Sequence, residues 1–118
     1  SAASDVYKRQ AIQVLSTITA RARNLFAQLA SLQLLAAVPD NEVPRTPYAS
    51  LVREALREFV ASSDEGVRQL LGEMVDHGLV VVTRGSMTVS NSHAIAVGDE
   101  LAIPLSVTAL EEVLAQVA

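Results

Sequence analysis

Four arginines stand where a basic side chain could meet phosphate: Arg53, Arg57, Arg68 and Arg84. Arginine suits that task because its planar fork donates hydrogen bonds in pairs. Each also has a plainer use nearby. Arg53 and Arg57 sit one helical turn apart, interleaved with Glu54 and Glu58, the pattern of a solvated face whose ion pairs contribute about 0.2–0.5 kcal/mol each. Arg68 shares its segment with Asp64, Glu65, Glu73 and Asp76, so that segment is strongly acidic. Arg21 and Arg23 could reach a partner or simply face water. His77 and His93 are the only histidines and there is no Cys, so a zinc site of ordinary type is not expected. Asp76 and His77 are adjacent at a helix end and cannot adopt triad geometry. No G-x-x-x-x-G-K-[ST] run is present. The chain reads as a non-enzyme with no cofactor and no metal.

Composition narrows the partners. Net charge is −4, with 9 Lys and Arg against 13 Asp and Glu. A freestanding nucleic-acid binder is usually basic, so strong autonomous DNA binding is not expected. Hydrophobic residues make up 50% of the 118 but aromatics only 3%, which predicts one domain with a core of Leu, Val and Ala. A mean hydropathy of +0.31 suggests either dense packing or apolar surface kept for a partner. No apolar run is long enough to span a bilayer, and no membrane association is expected.

Four helices can position these residues. Residues 1–18 read as a flexible lead-in or a tail of artificial origin, leaving 19–118 as the domain. Thr19 caps a first helix to about Ala37, with Ala22, Leu25, Phe26, Leu29, Leu32 and Ala36 inward. VPDNEVPRTP breaks it and leaves room for a short strand near Val43. Thr46-Pro47 starts a second helix to about Ala61, with Leu51, Val52, Ala55, Leu56 and Phe59 inward. A capping box at Ser62 and Glu65 opens a third, whose stripe is Val67, Leu70, Leu71, Met74 and Val75. It closes on His77 and Gly78. A last short helix starts from a second box, Thr108 and Glu111, with Leu110, Val113, Leu114 and Val117 inward.

Between Gly78 and Ser106 the pattern changes to strand. A single hairpin turning at Asn91-Ser92 sets Val82 against Leu101, Val80 against Ile103, Arg84 against Asp99 and Gly85 against Gly98. All four apolar residues then share one face, which a one-residue slip would undo. Arg84 would be neutralised by Asp99 across the strands. Beyond the core, Met87, Val89, Ile95 and Val97 would project as an uncharged apolar tip fit for a protein socket. The alternative is that the tip folds back into the domain.

Three helices followed by a hairpin define a winged helix-turn-helix, mainly α within the α/β class: a three-helix core, a β-hairpin wing and a short C-terminal helix. TARARNLF (19–26), FVASSD (59–64), the L-x5-HGLV run (71–80), LAIPL (101–105) and LEEVL (110–114) together resemble the C-terminal winged-helix domain of origin recognition complex subunit 2, over roughly residues 12–118. The family's wing is shorter than the hairpin drawn above. The resemblance implies a nuclear protein of replication initiation, within a multi-subunit ring around origin DNA. An ATPase-like domain would precede this segment, so the chain reads as an excised fragment. It also implies other subunits of that complex as partners, with double-stranded DNA bound only weakly and non-specifically in isolation. The candidate DNA contacts are Arg53, Arg57, Arg68 and Arg84, and the candidate partner contacts are Met87, Val89, Ile95 and Val97. The alternatives are a winged-helix transcriptional regulator and a scaffold module of another nuclear assembly. The regulator would need a basic third helix, which this chain lacks.

Overall fold

The computed structural model describes residues 2–117. Helix α1 (Ala2–Thr17) replaces the expected flexible lead-in. It holds no Gly or Pro, and Ala11, Leu15 and Ile18 recur at helical spacing and are buried in the core. Its flank is fixed by an ion pair between Lys8 and Glu112. Thr19 breaks the helix and caps α2 (Ala20–Ala36), its hydroxyl accepting from the Ala22 amide at 3.2 Å. Arg23, which sequence reading left facing a partner or water, instead caps α1, donating to the carbonyls of Leu15 (3.2 Å) and Ile18 (2.7 Å). Ala22, Leu25, Phe26 and Leu29 are buried as their spacing requires.

The short strand forms at Thr46–Pro47 (β1), later than expected, and Pro47 sits on a sheet edge where its missing N–H does no harm. Thr46 is therefore a strand residue and not a helix cap. Helix α3 (Tyr48–Arg57) also ends four residues early. The amide of Phe59 donates to Leu56 O and that of Val60 to Ala55 O, which closes the helix in a Schellman turn. That turn needs a left-handed residue, and Phe59 supplies it at φ 60°. The turn swings Phe59 away from the core, so the inward Phe59 and Leu56 expected from periodicity are both exposed, Phe59 at 90%.

Helix α4 (Asp64–Asp76) is capped by Ser63 and not Ser62; the Ser63 hydroxyl accepts from the Gly66 amide at 3.0 Å. It ends in the same motif as α3, with Leu79 N to Met74 O, Gly78 N to Val75 O and Gly78 at φ 73°. Helix α5 (Val107–Val117) starts from Ser106, whose hydroxyl accepts from the Ala109 amide, in place of the Thr108 box. Leu110 and Val113 are buried on it.

The sheet corrects the long wing and keeps its register. β2 (Val81–Arg84) pairs antiparallel with β4 (Glu100–Ala102), Val82 facing Leu101, as the apolar pattern demands. Val80, Val82, Leu101 and Ile103 are all buried. The hairpin does not continue to Asn91. Gly85-Ser86 forms a two-residue turn, with Gly85 at φ 62°, into β3 (Met87–Thr88) on the other edge of β2. The order is β1-β4-β2-β3, and Gly85 does not face Gly98. From Val89 the chain returns over the domain through a 3₁₀ turn at Ser92–Ala94.

Two buried polar groups fix this return. Gln33 on α2 donates to Ile103 O and accepts from Ile103 N, both at 2.8 Å, extending the sheet's bonding into the helix layer. The Asp99 carboxylate, 1% exposed, accepts Arg84 Nε (2.7 Å), Arg84 Nη2 (2.9 Å) and the Ala96 amide (2.8 Å). Its backbone carbonyl accepts from the Tyr48 amide at the start of α3. These contacts, the Arg84 guanidinium first, hold the Asp99 carboxyl down at about 2, against an ordinary value of 3.8.

Leu71, buried in the middle of the core-facing stripe of α4, should lose about 2–5 kcal/mol of stability on truncation to Ala, measured by urea unfolding. The Asp99 contribution has a defined pH window. Because its folded value lies below the unfolded one, the contribution is complete above about pH 5 and is lost as pH falls from about 4 to 2. Asp99→Asn should therefore lower the urea midpoint at pH 6, with the gap from the parent closing towards pH 2. A gap that stays constant with pH would contradict this.

Candidate nucleic-acid and protein interface

In a winged helix the third helix of the core is the element that enters a DNA groove, and here that element is α4. Its core stripe is Val67, Leu71 and Met74. The opposite side presents Glu65, Gln69 and Asp76, exposed, with Glu73 half-buried. No cation lies on that outward strip. Arg68 lies on the flank between the two faces, its side chain only 16% exposed. Its Nε donates to Asp64 Oδ2 at 2.7 Å, its guanidinium lies 5.1 Å from the centre of the Tyr48 ring, and it also donates to the Ile95 carbonyl. Tyr48 Oη completes the cluster by donating to Asp64 Oδ1 at 2.9 Å. Arg68 first, then Tyr48, holds the Asp64 carboxyl below the usual carboxylate range. Burial, and then the bond to Asp64, pushes the Tyr48 phenol up. The cluster therefore ties the starts of α3 and α4 to the wing. It uses the only arginine that α4 could have offered to DNA.

The wing also covers part of this helix. Gly72, on the same flank as Arg68, is buried, and a Cβ there would come within 2.8 Å of Ser92 Oγ. A side chain at position 72 would require the Ser92 hydroxyl to turn aside. The 3₁₀ turn thus packs closely on this flank of α4 and covers one side of the helix.

The remaining arginines divide. Arg84 is paired with Asp99 and also donates to the Ala94 carbonyl at 3.0 Å. Arg57 is paired with Glu54 at 2.6 Å and Glu58 at 3.5 Å. Arg53 is exposed on α3, with no ion-pair partner among the described residues. These three and Arg68 are spread over α3, β2 and α4. The four apolar wing residues divide too. Met87 and Val97 are exposed at 70% and 73%, but Ile95 is buried and Val89 packs against the core. The tip folds back, so an apolar prong made of all four does not exist. Among the described residues, no three His, Asp or Glu side chains come close enough to hold a metal ion.

Sequence reading missed Gln33 and Tyr48, and the capping role of Arg23. Tyr48 and Gln33 were legible only as a lone aromatic and a lone polar residue within helical segments; their partners lie 16 and 70 residues away in the chain.

Residues 39–91 match the family model described as ORC2 WHD, the winged-helix domain of origin recognition complex subunit 2. That stretch carries β1, α3, α4 and the β2–β3 hairpin. The fold also matches a chain in the structure of Drosophila ORC bound to AT-rich DNA and Cdc6, with a TM-score of 0.63 and 25% identity over 88% of this chain. This chain covers 30% of the Drosophila chain's length. A search of curated proteins finds no match. With its helix order, its buried β2–β4 register and the match over residues 39–91, the chain is similar to the ORC2 winged-helix domain family.

Proposed function

We propose that this domain works as a positional module of an origin recognition complex subunit, in the nucleus, during initiation of DNA replication. It docks against other subunits and touches double-stranded DNA only as an accessory, non-specific contact. It performs no chemical step. The observation that carries this reading is the surface of α4, where an acidic strip faces outward and Arg68 is held by Asp64, Tyr48 and Ile95. Phosphate neutralisation supplies most of the affinity of ordinary DNA binders, and this helix would bring like charge to the backbone instead. The same surface argues against a transcriptional regulator, whose reading helix needs cations to meet the phosphates on either side of the groove. Arg53 on α3 is left as the candidate cation for a weak backbone contact. The matched Drosophila assembly is bound to AT-rich DNA and Cdc6, so an AT-rich duplex is the appropriate probe.

Fluorescence anisotropy with AT-rich and GC-rich duplexes should show binding no tighter than about 10⁻⁶ M at physiological salt, with little preference between them. Arg53→Ala should weaken what binding there is. Nanomolar, sequence-selective binding would overturn the proposal.

A further inference from the structure

The docking reading does not say which surface docks, and here the geometry points to one. We propose that the groove between α2 and α3 seats a helical segment of another protein, apolar along one side and carrying a hydrogen-bond donor beside that stripe. The groove, about 570 Å³, follows the outer side of α2 from Asn24 to Leu35, with the C-terminal half of α3 as its other wall. Eleven residues of rise give a trough of about 16 Å, three turns of helix.

The trough carries an exposed apolar end. Leu35 is 85% exposed at one end, with Leu32 and Val60 half-buried beside it. Phe59, which stands in the chain between the lining residues Glu58 and Val60, is 90% exposed with a left-handed backbone. Glycine would make that turn without strain, and Phe59 returns no burial to the fold. An aromatic kept under those conditions is suited to contact a partner.

Polar atoms of the groove state what the occupant must bring. Gln28 Oε1 is buried in the groove wall and meets no hydrogen-bond donor among the described residues. Its amide orientation is fixed, because Nε2 donates to the Glu54 carbonyl at 3.3 Å. The orphan is therefore an acceptor, and it calls for an N–H or O–H from the occupant. Arg57 is already paired with Glu54 and Glu58, which leaves the rim net negative. That charge repels phosphate. It also disfavours a second copy of this chain, since a two-fold contact would set acceptor against acceptor and carboxylate against carboxylate. A partner helix flanked by Lys, Arg or Gln meets both demands.

This inference rests on the docking role proposed above, and the test separates the two. The full-length subunit would be prepared with Phe59→p-benzoylphenylalanine, co-purified with the other origin recognition complex subunits, irradiated, and its cross-links mapped by mass spectrometry. The expected product joins position 59 to a helical segment of another subunit bearing an apolar stripe and a donor side chain. Leu35→Glu in the same chain should cut that yield at least tenfold with an unchanged thermal melt, because Leu35 is outside the core. Co-purification with no cross-link, or with cross-links only to DNA or to a second copy, would overturn the groove and leave the assembly role standing. Failure to co-purify would overturn both.

Discussion

The wing depends on the Asp99 carboxylate. A buried carboxylate without partners would be costly, and this one is met by the fork of Arg84 and the amide of Ala96. Those bonds fix where β2 ends and how the chain turns into β4, and the Asp99 carbonyl anchors the first amide of α3. The return of residues 89–98 is set by this node. Ile95 is then delivered into the core and Ser92 is laid on Gly72.

A consequence follows for charge. The same return places the Ile95 carbonyl where Arg68 donates to it, so the node that shapes the wing also helps hold the arginine of α4. Arg84 and Arg68, the arginines carried by β2 and α4, are both held by the domain's own carboxylates. What remains outward on α4 is acidic. On the proposed reading a helix-turn-helix is retained as a shape whose arginines on α4 and β2 are bound within the domain, and Arg53 and the α2–α3 side are the surfaces offered to DNA and to a partner.

Legibility in the sequence followed the range of the interaction. The α2 stripe, the stop at Gly78 and the Val82–Leu101 register were all readable, because each rests on local periodicity or on a glycine that only one backbone geometry explains. The Arg84–Asp99 pair was found through that register. The end of α3 was not readable, because the left-handed position carries Phe59 where the same motif at α4 carries Gly78. The turn at Gly85-Ser86 was missed because the pairing of β2 with the later strand already accounted for these residues; β2 in fact uses both edges. Among the candidate site residues, the acidity of α4 was plain from composition. The fate of Arg68, Val89 and Ile95 was not, since it is decided by a turn that crosses the domain from far along the chain. Helix α1 was dismissed for its small polar start, although Ala11, Leu15 and Ile18 carried the helical spacing.

The central claim is that α4 is a reading helix in shape alone. Amide chemical-shift mapping of the labelled chain during titration with an AT-rich duplex tests it most directly. The account predicts that the amides of Glu65, Gln69 and Glu73 stay unmoved while shifts gather around Arg53. Saturating shifts centred on Glu65, Gln69 and Glu73, absent from α3, would contradict it.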